Sequence, residues 1–386
     1  MIPYGRQVVS REDIDAVIKV LQSDYLTQGP EVQEFENEVA SCCSANHAVA
    51  VNSATSALHL ACMSLGVGLG DIVWTSPNTF VASANCARYC GAEVDFVDID
   101  PDTWNMCPRR LAEKLAIADK QNRLPKVVIP VHLCGQSCDM AAVHALAQQY
   151  QFRVIEDASH AIGGQYQNQP VGNCRYSDIT VFSFHPVKII TTAEGGMALT
   201  NISTLAERMK RLRVHGITRE PERMQNLPSG PWCYEQLELG YNYRMTDIQA
   251  ALGRSQLKRL SEFVRRRSEI ASRYDELLGN MPVKRPKLIK DAHSSWHLYP
   301  IRLLLGQIKK SHVQVFEALH KAGIGVNLHY MPVHLHPYYR ALGFEAGMFP
   351  VAETYSEDAI SLPIYPALTV EQQKIVVEAL GMALKS

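Results

Sequence analysis

Across residues 1–250, short apolar runs alternate with helix-like stretches, and this alternation restricts the fold more than any other feature of the chain. Candidate strands cover Ala48–Val51, Asp71–Thr75, Glu93–Val97, Lys126–Val131, Arg153–Glu156, Ile179–Phe184 and Gly196–Thr200. Strands joined through helices return to one sheet in parallel, and the joining helices cover both of its faces. The pattern therefore predicts an α/β fold on a mainly parallel sheet, with ligands at the carboxyl ends of the strands. The helical stretches carry their own signals. Ile14, Val17, Ile18 and Leu21 recur at helical spacing behind Ser10, a suitable N-cap.

Beyond residue 250 the character changes. A charged helical stretch is predicted over Thr246–Leu278, followed by an α+β segment with strand candidates at His297–Leu303, Gly325–His329 and Ala359–Leu362. This reads as a large domain over 1–250 and a smaller C-terminal domain over 251–386, and 386 residues suffice for both.

Charge and hydropathy narrow the partners. With 38 basic and 39 acidic side chains the net charge is −1, and the longest basic run is Arg265-Arg266-Arg267, so nucleic acid is not expected as a partner. No apolar run approaches the ~20 residues of a spanning helix, and Met1–Arg6 lacks the apolar core of a signal peptide. A cytoplasmic protein with reduced cysteines is the expectation. His132, Cys134 and Cys138, and separately His329, His334 and His336, lack the paired spacing of zinc ligands, so no metal is expected. The glycines of Gly66-Val67-Gly68-Leu69-Gly70 follow a helix and precede a strand, the reverse of a dinucleotide fingerprint.

Four features fit a single cofactor. Lys188 follows the apolar strand ending Ser183-Phe184, where restricted hydration lowers an ammonium pKa and readies the amine for a Schiff base. Asp157 ends the strand Val154-Ile155-Glu156, a position from which a carboxylate can hold the ring nitrogen of pyridoxal phosphate protonated. The turn Asn52-Ser53-Ala54-Thr55-Ser56 enters a helix, and helix N-termini with small hydroxyls suit phosphate. Phe80 follows another strand and could stack on a flat ring. Each feature alone has a plain structural reading: a solvated lysine, a helix cap or turn, or a core aromatic. Their joint order carries the argument.

At these residues the sequence resembles the DegT-type nucleotide-sugar aminotransferases over essentially the whole chain. Leu26-Thr27-Gln28-Gly29-Pro30, Asn52–His59, Glu156-Asp157-Ala158, Ser183–Lys188, Glu194-Gly195-Gly196 and Gly240-Tyr241-Asn242-Tyr243-Arg244-Met245 carry the likeness. The resemblance implies the aspartate aminotransferase fold (fold type I of the pyridoxal-phosphate enzymes). It implies pyridoxal 5'-phosphate on Lys188, paired with Asp157 and stacked by Phe80. Thr55, Ser56 and Ser183 would hold the phosphate, joined by Asn242 of a second subunit in a homodimer with shared sites. His160 stands where many members have glutamine, near the cofactor's ring hydroxyl, and its charge is expected to vary near neutral pH.

Asp157–Ala161, Ser294–Ile301 and His329-Tyr330-Met331-Pro332 resemble the subgroup that makes a pseudaminic acid precursor. That likeness implies a UDP-linked 2-acetamido-2,6-dideoxy-hexos-4-ulose as acceptor and L-glutamate, leaving as 2-oxoglutarate, as donor. It places the sugar nucleotide against Tyr4, Asp24, Tyr25, Leu26, Thr27, Ala54, Ser183, Asn242, Leu328, His329, Tyr330 and Met331. Other acceptors of the family, a GDP-linked 4-keto sugar or a 3-keto dTDP sugar, stay open. A dehydratase of this fold would replace the Schiff-base lysine by histidine, and a non-enzymatic regulator would have no need of both Lys188 and Asp157.

Overall fold

The computed structural model describes residues 1–226 and 228–385. Seven strands form the central sheet: β1 (His47–Val51), β2 (Ile72–Thr75), β3 (Glu93–Phe96), β4 (Val127–Ile129), β5 (Arg153–Asp157), β6 (Ile179–Ser183) and β7 (Gly196–Thr200). Their order is β1-β7-β6-β5-β4-β2-β3. β7 runs antiparallel to both of its neighbours, β1 and β6, and the remaining pairs are parallel. β4 and β6 are buried at every position, as strands covered on both faces must be.

The α-helices up to residue 277 are α1 (Arg11–Leu21), α2 (Pro30–Cys43), α3 (Ala54–Ser64), α4 (Ala82–Tyr89), α5 (Pro108–Lys120), α6 (Met140–Tyr150), α7 (Ser203–Leu212), α8 (Asp247–Leu257) and α9 (Leu260–Leu277). Ser10 caps α1 as its sequence suggests: its hydroxyl accepts from the Asp13 N–H, and Asp13 accepts in return from the Ser10 N–H. Among the described residues no helix is long and apolar enough to cross a membrane.

Two expectations about elements need correction. The charged stretch predicted as one helix is two, because Arg259 leaves helical geometry (φ −104°, ψ 7°) between α8 and α9. Its guanidinium pairs with the buried Asp13, which also accepts from Ser255 Oγ and Gln256 Nε2 at 2.6 Å each. The break lets α8 pack on α1 and α2 while α9 joins a separate apolar core.

That second core, around Ile270, Tyr274, Ile301, Leu319, Ile360 and Leu380, lies against an antiparallel sheet of Val283–Lys284, Tyr299–Leu303 and Ala359–Leu362. Gly325–His329, expected as a strand, is not one. The chain's N-terminus takes its pairing instead: Gly325 N–H donates to Ile2 O (2.7 Å), and Asn327 keeps a single bridge to Ser361. Released from a ladder, Leu328–Tyr330 turn toward the sheet's carboxyl edge.

Candidate active site

A cavity of 510 Å³ opens at the carboxyl ends of β5 and β6, between the large sheet and the Asn327–Tyr330 segment. It gathers Tyr4, Ala54, Thr55, Phe80, Asp157, His160, Ser183, Lys188, Leu328, His329 and Tyr330 from the sequence expectations. Ser56, Asp24, Tyr25, Leu26, Thr27, Asn242 and Met331 do not line it. The Ser56 hydroxyl is bonded to Asn52 Oδ1 (2.7 Å) and Ser53 Oγ (2.9 Å). Asp24–Thr27, Asn242 and Met331 are exposed, with Asn242 in a backbone bridge to Val214.

Asp157 and Glu156 end β5 side by side, and strand alternation sends them to opposite faces. Glu156 turns away from the cavity to His132 (2.6 Å), Ser177 (2.5 Å) and Thr180 (3.1 Å). Asp157 turns into it. Ser83 Oγ donates to Asp157 Oδ2 (2.6 Å), and Ser159 donates to Oδ1 through its hydroxyl (2.6 Å) and its N–H (3.1 Å). Among the described residues three donors and no acceptor face the two oxygens, the complement of a carboxylate.

Lys188 stands at the cavity wall after β6. Burial lowers its ammonium pKa from 10.5 to about 8, against the opposing pull of Asp157 and Cys134. Among the described residues its Nζ has no hydrogen-bond or ion-pair partner, which leaves the amine available to a ligand.

The expectation that His160 changes charge near neutrality is overturned. Burial, together with the nearby charge of Lys188, pushes its pKa well below 6.5, so the ring is neutral. The Cys134 N–H donates to His160 Nδ1 (3.2 Å), which places the ring's own proton on Nε2, facing the Tyr330 hydroxyl at 3.2 Å. The Tyr330 oxygen accepts a hydrogen bond from that N–H, which leaves its own O–H free to donate elsewhere. Two more neutral histidines complete this wall. His329 is held at about 3, chiefly by burial, and bonds Ser361 Oγ (2.9 Å). His297, its ring 4.4 Å from that of His160, is likewise kept neutral by burial.

At the opposite end, Ser53 caps α3: its hydroxyl accepts from the Ser56 N–H, and its carbonyl from Ala57 N–H. The N–H groups of Ala54 and Thr55 therefore remain without an intrahelical partner, and both residues line the cavity. β7 presses on this turn. A Cβ at Gly196 would lie 2.4 Å from Ala54 N, so only glycine permits the approach.

These features fit pyridoxal phosphate. An anion suits the α3 terminus, a pyridinium suits Asp157, an aldehyde suits Lys188, and Phe80, 58% exposed where it lines the cavity, offers a free aromatic face. Sequence reasoning missed Thr79, Ser83 and His297 as contributors. Ser159 had a local signal, since a serine two residues beyond an aspartate commonly bonds back to it. Ser83 had none, lying 74 positions from its partner.

The model of the DegT/DnrJ/EryC1/StrS aminotransferase family matches residues 7–381. The chain is 38% identical to the UDP-4-amino-4,6-dideoxy-N-acetyl-beta-L-altrosamine transaminase of Campylobacter jejuni, covering all of this chain and 98% of that one. Its fold is similar to that of the putative sugar aminotransferase Spr1654 of Streptococcus pneumoniae, solved in PMP and PLP forms. In the PMP form the TM-score is 0.91 at 31% identity, over 99% of each chain. It is also similar to Helicobacter pylori PseC, an aminotransferase involved in the biosynthesis of pseudoaminic acid, with TM-score 0.90 at 32% identity over 99% of each chain. This chain belongs to the DegT/DnrJ/EryC1/StrS aminotransferase family and is a pyridoxal-phosphate-dependent sugar aminotransferase.

Proposed function

We propose that this enzyme aminates a UDP-linked 2-acetamido-2,6-dideoxy-hexos-4-ulose at C4, giving UDP-4-amino-4,6-dideoxy-N-acetyl-β-L-altrosamine, with L-glutamate as donor and 2-oxoglutarate as by-product. The full-length likeness to the Campylobacter transaminase carries this reading.

When bound, pyridoxal phosphate supplies an aldehyde for the amine and an electron-withdrawing ring that stabilises negative charge on the reacting carbon. The lining of the cavity supports the following roles. Lys188 would hold the cofactor, and its Nζ, its pKa lowered by burial to about 8, would be the group that takes up and returns a proton. Asp157 would hold the ring nitrogen's proton. Ala54 and Thr55 N–H groups, with the Thr55 and Ser183 hydroxyls, would receive the phosphate, and Ser56 supports that turn through Asn52. His160 orients the Tyr330 hydroxyl toward the ring side of the cavity.

The sugar nucleotide enters past Tyr4 and Leu328–Met331. In the proposed homodimer, Asn242 and Asp24–Thr27 approach from the rim, Asn242 from the other subunit. Donor and acceptor use one amine-carrying site in turn, so the kinetics are ping-pong. The test is incubation with glutamate and UDP-, GDP- and dTDP-linked keto sugars, read by mass spectrometry and NMR. Amination of the UDP-linked 4-keto sugar alone, at C4, is expected. Preference for a GDP- or dTDP-linked sugar would reassign the acceptor.

A further inference from the structure

Asp157 is served by a second tier of hydroxyls that no role has so far included. Ser83, in the first turn of α4, is fully buried, and its Oγ lies 2.6 Å from Asp157 Oδ2. A serine has one proton to give. The short contact to a charged oxygen claims it over the Phe80 carbonyl at 3.4 Å. The Ser83 oxygen must then act as acceptor toward Thr79 Oγ1, 2.8 Å away and itself buried. The proton order is fixed: Thr79 donates to Ser83, and Ser83 donates to Asp157.

Thr79 and Ser83 are four residues apart, at the entry to and start of α4, and the Phe80 ring lies between them in sequence. The same short segment therefore carries the aromatic face of the cavity and the hydroxyls behind the carboxylate.

We propose that the Thr79–Ser83 relay is a positioning device for Asp157: it sets the carboxylate's orientation and its strength as an acceptor toward the cofactor's ring nitrogen. The proposal rests on the aminotransferase reading of the cavity. Ser83 draws electron density from Oδ2, and Thr79 strengthens that draw through the chained bond. Ser159, on Oδ1, fixes the other oxygen, so the carboxylate is held at both ends and has one direction left, into the cavity. Without Ser83 the carboxylate is more basic and is held at Oδ1 alone. It then neutralises the ring's positive charge more fully and holds the ring nitrogen less steadily.

The test uses cofactor-loaded Ser83→Ala, Ser83→Thr and Thr79→Val proteins beside the wild type. The first readout is the pH titration of the visible absorbance band of lysine-bound cofactor, which a packing role leaves in place. The midpoint is expected to move upward in Ser83→Ala, less in Thr79→Val, and to return toward the wild-type value in Ser83→Thr. The second readout is steady-state kinetics. The loss of one hydrogen bond to a charged group predicts a kcat lower by about tenfold in Ser83→Ala, with KM for the keto sugar little changed.

A wild-type midpoint in both Ser83→Ala and Thr79→Val overturns the relay. So does a Ser83→Thr protein as displaced as Ser83→Ala. If Ser83→Ala does not fold, Thr79→Val, which keeps shape and removes only the hydroxyl, decides alone. A wild-type protein with no visible band at all would instead undermine the cofactor reading, so the two failures are told apart.

Discussion

The floor and the rim of the cavity are built differently. On the floor, Asp157, Ser83, Thr79 and Ser159 hold one another in a closed set of hydrogen bonds at 2.6–3.1 Å, all within one chain. Lys188, without a partner among the described residues, stands with them in the cavity, its proton affinity lowered by burial. At the proposed rim, Asp24–Thr27, Asn242 and Met331 are exposed and do not line the cavity. The floor is held in place within a single chain; the rim is what the proposed homodimer would complete. The difference separates what one subunit does by itself from what the proposed homodimer adds.

The largest expected effect lies on the floor. Lys188→Ala removes the only amine among the described residues of the cavity lining, so the visible band and all turnover should vanish together, measured by absorbance and product mass. A variant that keeps its band would take Lys188 out of this role. Asp157→Ala comes next. The fold should survive by circular dichroism, while kcat falls by about 10³, the scale for losing a preorganised electrostatic partner. Near-normal turnover there would mean that the floor's hydrogen-bond set is structural only.

The rim is tested by Asn242→Ala. One polar contact at the proposed interface predicts a loss of about tenfold in cofactor affinity, read by fluorescence titration. The sharper version mixes inactive Lys188→Ala subunits with Asn242→Ala subunits at cofactor concentrations where the latter are inactive. Random pairing leaves one intact site in each heterodimer, so activity should recover to about a quarter of the wild-type value. No recovery, with heterodimers shown by mass spectrometry, would place the whole site in one chain and erase the contrast between floor and rim.

The floor was more legible in the sequence than the rim. Lys188, Asp157 and the Ser53–Thr55 turn stand at strand ends and a helix start, and strand and helix patterns locate such positions directly. Ser83 was invisible because α4 reaches β5 only through the tertiary fold. The neutrality of His160 was invisible for a related reason: a histidine's charge is decided by burial and by neighbours such as Lys188, not by its own position. The Gly325–His329 segment reads as a strand from its apolar residues, yet its pairing partner is taken by Ile2 from the far end of the chain. The break at Arg259 was hidden likewise, since the force that bends the chain there is a pairing with Asp13, distant in sequence.

The smallest expected effect tests what the floor costs the fold. Lys188 is protonated below about 8 in the folded protein and below 10.5 when unfolded. At pH 7 both states carry the proton, so folding must bring an ammonium into a site that desolvates it. Between pH 8 and 10.5 the unfolded chain still binds the proton and the folded chain does not, so stability rises with pH across that window. Lys188→Met in the cofactor-free protein removes the charge and keeps the stem. It should be more stable than the wild type at pH 7 by about 1–2 kcal/mol, less than the full pKa difference because the ammonium keeps some cavity hydration. The gap should close as the pH passes from 8 to 10.5, measured by urea unfolding at each pH. A gap that does not change with pH would mean that Lys188 is hydrated as well as any surface lysine, and that the floor's reactivity has a cause other than burial.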